Sequence, residues 1–362
     1  MRTCTRCIMN DSADPTITFD ENGYCNYCTD ALAKINTTAY FPNEEGEKRL
    51  HALLEQVKKS GEGKPYDCIM GISGGLDSAY LAYLGCTWGL RILAVHVDDG
   101  YDTDVSKENV HKLVEKAGIK MITVTPDAEQ YNALILAYMR AGVPNLAVPQ
   151  DNILLKCLFD AVKEYKIPYF LSGDNFALEC VLQRGNTYQS MDVVNIRDIH
   201  KRFGTQPINK LKFISAYEKY YSTRVAGMHL EKPLNYIDYN RERAFRELKE
   251  FCGFEYYGRK HLENKFTAFL QLRWLPEKFG VDKRLSHLSS MIVSGQMTRE
   301  EALAEAARPI CEGVPMDEYV AEIKANMHLS DTEFEEIMRA PTHQHTEYKT
   351  DRLDAALRSV LH

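Results

Sequence analysis

The chain has 362 residues, 44% of them hydrophobic and 26% charged, which is ordinary for a globular protein of two or three domains with a packed core. Its formal net charge of -7 gives no global basic field, so duplex DNA and long RNA are disfavoured as main ligands. The first residues, MRTCTRC, lack a secretory apolar run, and no segment approaches the ~20 apolar residues that a bilayer span needs, so a cytoplasmic place with no membrane partner is expected.

Residues 1–40 read as a cysteine-bearing unit. Cys4 and Cys7, then Cys25 and Cys28, form two knuckles separated by 17 residues, 8 to 24. Each knuckle offers two thiolates from one turn, which suits a closed tetrahedral structural Zn2+ site. An iron–sulfur cluster shares this ligand set. The six other cysteines are scattered and are expected as free thiols.

Residues 44–60 form an amphipathic helix carrying Leu50, Leu53, Leu54 and Val57. An α/β pattern follows over 41–205. Strands are expected at YDCIMGI, at 91–98, at 121–125 and at 167–173. Helices are expected from about Asp77, at 104–117 with Gly118 as its stop, after an Asp127/Gln130 capping pair, and at 152–165. This alternation predicts a doubly wound parallel sheet with helices on both faces, whose ligands bind at the carboxyl ends of the strands. Beyond 205 the strand signal fades. Residues 206–362 read as a mainly helical extension with capping boxes at Thr298/Glu301 and Ser330/Glu333. The tyrosines of 206–257 are expected mostly as core, and His343 and His345 as part of a mobile tail. His96, His229, His261 and His287 have no partner spacing and are read as structural.

The segment GISGGLDSAY, residues 71–80, ends the first strand. It is neither a Walker A loop, since no lysine follows its glycines, nor a dinucleotide fingerprint. Gly74 and Gly75 let the backbone curl round an anion, Ser73 and Ser78 add hydroxyls, and the helix start adds its dipole. Asp77 needs a cation beside phosphate, and Mg2+ would serve.

This S-G-G-x-D-S hexamer resembles the PP-loop of the ATP pyrophosphatases. The resemblance implies ATP as cosubstrate, held by its β,γ-pyrophosphate while the α-phosphorus is attacked and an adenylate forms. It also implies that Asp98 and Gly100, and Gly173 and Asn175, lie near the nucleotide. Glu179 either faces the site or is a solvated helix charge. Read together, CTRCIMNDSADPTITFDENGYCNYC, the glycine loop and KHLENKFTAFLQLRWLPEKFGVDKRLSHLSSMIVSGQMTREEAL resemble the N-acetyl sugar amidotransferase family of WbpG and PseA type, from residue 1 to about 310. That implies a nucleotide-activated or free N-acetyl sugar as substrate, adenylation of its acetyl oxygen, and displacement of AMP by ammonia. Separate glutaminase and cyclase-like barrel partners would supply the ammonia, because no glutaminase motif is present here. Lys265, Arg273, Lys278, Lys283 and Arg284 are candidate cations. Lys283 and Arg284 are favoured as catalytic beside Asp77, with Asp282 as a weaker second Mg2+ ligand. The rival reading is a tRNA-thiolating relative with zinc knuckles. It is weakened by the acidic balance and by the lack of a C-x2-C pair among Cys68, Cys86, Cys157 and Cys180.

Overall fold

The computed structural model describes residues 1–12 and 14–351. Five parallel strands make one sheet in the order β3-β2-β1-β4-β5. They are β1 Cys68–Gly71, β2 Ile92–Val97, β3 Lys120–Val124, β4 Tyr169–Leu171 and β5 His229–Glu231. β1 is central, pairing Cys68 with Ile92 on one side and Ile69 with Phe170 on the other. The chain winds outward through β2 and β3, then returns to start again at β4. The carboxyl end of β1 is therefore the switch point where such sheets open a crevice.

Alternate side chains of the strands feed two different cores. Cys68, Met70, Ala94 and Leu171 pack with Leu81 and Ala82 of the helix Leu76–Thr87, with Leu113 of Asp104–Ala117 and with Leu248 of Arg241–Cys252. Ile69, Leu93, Val95 and Phe170 pack the other way, against Leu158, Phe159 and Val162 of Val148–Tyr165. Helices thus cover both faces, which explains why the central strands read as continuous apolar runs.

The local signals behave as their chemistry dictates. Asp104–Ala117 ends at Gly118 with φ 62°. Both expected capping boxes, Thr298/Glu301 and Ser330/Glu333, form. Asp127 caps its helix through the amide of Gln130, but the Gln130 side chain turns away to Asn209 and Lys210. The helix expected at 152–165 begins at Val148, because Pro149 is at home in a first turn.

Three expectations are corrected. β5 comes from the region expected to be helical and pairs with β4, so the sheet continues past the boundary drawn at 205/206. His345 is not in a mobile tail: it is buried and stacks on Tyr188 with ring centroids 4.3 Å apart, while His343 bonds Glu347 at 2.8 Å. His261 is not an isolated structural residue, since its ring lines the cavity described below with the His287 ring beside it. Among the described residues, no helix is long and apolar enough to cross a membrane.

Candidate functional site

The four N-terminal cysteines come together. All are fully buried, and their Sγ atoms lie within 4.8 Å of one another. Cys4 Sγ accepts from the amides of Arg6, Cys7 and Cys25 at 3.4, 3.4 and 3.2 Å, and Cys25 Sγ accepts from the amide of Cys28 at 3.4 Å. Such N–H donors favour thiolate, and four thiolates this close repel one another unless a cation sits among them. The all-sulfur donor set fits a metal such as zinc. The unit is clamped to the last third of the chain. The Ile8 amide donates to Ser289 Oγ at 3.3 Å, and Arg299 donates to the carbonyls of Cys4 and Cys7 at 3.1 Å each. Ser289 belongs to the helix Arg284–Val293.

The glycine loop turns from β1 into Leu76–Thr87 at the switch point. Gly74 has φ +79°, and a Cβ there would lie 2.1 Å from Ser106 Oγ, so neither the conformation nor the space admits a side chain. Ser78 Oγ accepts from the Ser73 amide and lies 3.2 Å from Ser73 Oγ. The Gly75 amide donates to Ser73 Oγ at 3.2 Å. Gly173, after β4, lets its own backbone approach: a Cβ would stand 2.9 Å from Ser78 Cα. His96 fixes the base of the loop, 2.8 Å from the Ile72 carbonyl and 3.1 Å from Asp102 Oδ2.

A cavity of about 480 Å3 opens on this loop. Ser73, Gly75, Asp77, Ser78, Gly173 and Lys283 line it together. Gly74, Asp98, Gly100, Asn175 and Arg284 are absent from its lining. Asp98 accepts from the Gly100 amide within its own turn, and Asn175 caps the short helix Phe176–Glu179. The neighbouring Asp99 faces the cavity instead, held by Gln150 at 2.6 Å, Tyr131 at 3.1 Å and Asn264 at 3.1 Å. Arg284 is bound to Asp282 at 2.7 Å and to the carbonyls of Ala306 and Arg308, which also takes Asp282 away from any shared cation with Asp77. Lys265 pairs with Glu322, Arg273 with Glu277, and Lys278 with three helix-terminal carbonyls.

A cation already stands at Asp77: Lys260, which sequence reasoning passed over. Lys260 Nζ bonds Asp77 Oδ2 and lies 3.0 Å from Glu179 Oε1, while the Tyr239 hydroxyl donates to Asp77 Oδ1. Burial opposes the Lys260 charge, but the two carboxylates outweigh it and hold the ammonium well above the usual lysine range. Burial raises Glu179, and Glu179 does face the site. Beside it, His261 and His287 have ring centroids 5.2 Å apart. Burial, reinforced by nearby lysines, pushes both imidazoles well below their usual range, so they are neutral at pH 7. Burial also lowers Lys283, and it raises Glu263 and Asp151 to about 7 each. Tyr257, one of the tyrosines expected as core, accepts from the Leu76 amide at 2.8 Å. The site therefore presents a phosphate-sized cradle, a carboxylate-lysine pair and several groups poised to hold or move a proton.

Among the described residues, the four N-terminal cysteines are the one cluster able to hold a metal through three or more His, Cys, Asp or Glu ligands. Cys68, Cys86, Cys157 and Cys180 form no such cluster.

Residues 263–360 match the family model described as LPS biosynthesis protein WbpG-like, C-terminal domain. The match covers just over a quarter of the chain, so the likeness to a WbpG-like C-terminal domain is a likeness of that segment. No curated protein matches the chain. Among solved structures the chain is similar to NMN synthetase from Francisella tularensis, at 13% identity over 79% of this chain and 97% of that one, with TM-score 0.37. It is similar to the U34-tRNA thiolase NcsA from Methanococcus maripaludis, at 16% identity over 87% and 92%, with TM-score 0.33. It is also similar to the NH3-dependent NAD synthetase from Campylobacter jejuni, at 16% identity over 70% and 97%, with TM-score 0.31.

Proposed function

Taking the WbpG-like C-terminal domain as the premise, we propose that the chain is an ATP-dependent amidotransferase acting on the N-acetyl group of a sugar destined for a bacterial surface polysaccharide. The observation that carries this reading is the lysine-free loop at the switch point, opening on a large cavity with an acid at its helix start. Ser73, Gly74, Gly75 and Ser78 hold the β,γ-pyrophosphate of ATP as the leaving group. Asp77 is the residue that would hold Mg2+, which supplies charge neutralisation beside pyrophosphate. Lys260, already at Asp77, adds positive charge where pyrophosphate departs.

The acetyl oxygen attacks the α-phosphorus. The bond to pyrophosphate breaks, the amide nitrogen gives up its proton, and an O-adenylyl imidate forms. Ammonia then adds to the imidate carbon, the C–O bond to AMP breaks, and an acetamidino group remains. The added nitrogen must lose a proton. Neutral His261 and the Glu263 carboxylate, 3.9 Å apart, stand at the cavity to accept it. A separate glutaminase and a cyclase-like barrel are the partners that fit an ammonia-using chain without its own glutaminase.

The test is mass spectrometry of UDP- and CMP-linked N-acetyl sugars incubated with ATP, Mg2+ and ammonium chloride. The expected products are AMP, pyrophosphate and a sugar lighter by about one dalton, O having become NH. Asp77→Ala should abolish turnover in a folded protein. Sugar-dependent formation of ADP and orthophosphate would refute the reading.

A further inference from the structure

One part of the cavity wall belongs neither to the sheet nor to a long helix. After the short helix Phe176–Glu179 the chain crosses the cysteine unit as an irregular strip, and Asn186 and Thr187 at its end line the cavity. Val181, at its start, is fully buried in the same apolar cluster as Cys4, Cys7, Cys25 and Cys28. Arg184–Asn186 make a single turn of tight helix, too short to hold itself in place.

What holds that turn comes from the cysteine unit. Tyr27, between Cys25 and Cys28, is buried. Its hydroxyl donates to Asp14 Oδ2 at 2.6 Å and accepts from the Arg184 amide at 3.1 Å. Asp14 is also buried, and the amide and hydroxyl of Thr16 donate to its Oδ1 at 2.9 and 2.7 Å. Gly185 lies directly on this carboxylate. A Cβ there would stand 2.7 Å from Asp14 Oδ1 and 3.1 Å from Pro15 Cδ. A carboxylate fixed by several donors cannot swing away, so the close approach needs glycine. The Arg184 guanidinium lies over the Tyr27 ring and pairs with Asp30 at 2.8 Å, but both partners of that pair are about half exposed and add little. The buried bonds through Tyr27 and Asp14 are the stronger tie.

The glycine loop is served by other residues: Ser106, Gly173 and Tyr257 touch it, and none of these lies on the strip. Beyond Thr187 the strip is pinned again, where Asn145 Nδ2 donates to the Tyr188 carbonyl at 3.1 Å. We propose that Tyr27 and Asp14 are positioning residues for the acceptor. They hold Arg184–Thr187 against the cysteine unit, so that Asn186 and Thr187 form the wall against which the molecule to be adenylated rests. The inference rests on reading the cavity as the adenylation site, and it gives the amino-terminal unit a task beyond its own folding.

Hydrogen exchange of the peptide 182–190 and steady-state kinetics of the full chain test this together. The probes are ATP with Mg2+ and ammonium chloride, and as acceptor whichever UDP- or CMP-linked N-acetyl sugar releases pyrophosphate with the wild type. Tyr27→Phe keeps the ring and removes the hydroxyl. It should speed exchange in 182–190 and raise the acceptor KM about fivefold or more, with kcat, the KM for ATP and bound metal within about twofold of wild type. Asp14→Asn, which still accepts from Tyr27, should stay within about twofold in acceptor KM, whereas Asp14→Ala should match Tyr27→Phe. Gly185→Ala, which pushes the strip away while leaving the Tyr27–Asp14 bond intact, should reproduce the effect on acceptor KM and decides the matter if Tyr27→Phe does not fold. Unchanged exchange or acceptor KM in these variants, equal rises in both KM values, or a fall in kcat alone would overturn the inference while the adenylation reading stands. If no sugar releases pyrophosphate with the wild type, the adenylation reading falls and takes the inference with it.

Discussion

Replacing Lys260 with Met strands two carboxylates that now share one cation. The side chains of Lys260, Asp77 and Glu179 are 15%, 16% and 27% exposed, so water screens them poorly. Removing one member of a buried ion pair costs about 3–5 kcal/mol. Asp77 keeps the Tyr239 hydroxyl, which places the expected loss at the lower end, about 3 kcal/mol at pH 8. Glu179 supplies the pH dependence. Burial already raises its carboxyl, and loss of Lys260 raises it further. A group whose folded value is raised stabilises the fold below that value, and the contribution is lost as pH rises through it. A proton on Glu179 is therefore favoured as pH falls, so the loss should be smaller at pH 6 than at pH 8. Urea denaturation followed by circular dichroism at the two pH values measures this. The double variant with Glu179→Gln should likewise show a smaller loss at pH 8. A loss under about 1 kcal/mol at pH 8, or an equal loss at both pH values, would refute the reasoning.

Cys25→Ser should lower bound zinc from near one per chain and drop the melting temperature by roughly 5 °C or more, measured by elemental analysis and calorimetry. Loss of metal with unchanged melting would show that the cluster is not structural. Stability should also fall in mild acid, because burial pushes His345 down to about 3 while an unfolded chain takes up the proton near pH 6.5. The penalty grows as pH falls below that value and reaches about 1.4 kcal/mol at pH 5.5. His345→Phe, which preserves an aromatic face against Tyr188, should flatten the slope; an equal slope in both proteins would contradict the assignment.

Much of the frame was legible because its causes are local. Paired cysteines two residues apart form knuckles wherever they fall. Gly118 ends a helix by its own conformational freedom, and Thr298 and Ser330 cap helices through neighbours three residues on. The loop at 73–78 was readable for the same reason. What escaped the reading depends on residues distant in sequence. β5 has three residues, one of them His229, and exists because β4 offers an edge. Lys260 sits in a non-helical stretch between Gly253 and Lys265, where no periodicity announces a face. Charge density in GRKHLEN, bounded by a glycine, was the available signal. Arg284 was drawn to the site by its position beside Lys283, but Asp282, two residues earlier, captures it. Asp98 and Asp99 are adjacent, and strand direction alone decides which one faces the cavity.

The clasp between Cys4, Cys7 and Arg299 joins positions 295 and 292 residues apart. During synthesis the four-cysteine segment leaves the ribosome long before the helix that will cover it. Its apolar side must wait, uncovered, through most of translation. A chain cut short near residue 280 would therefore have all five strands of the sheet but an unsheltered cysteine segment, a natural target for quality-control proteases. Shelter for the cysteine segment thus depends on residues made almost three hundred positions later.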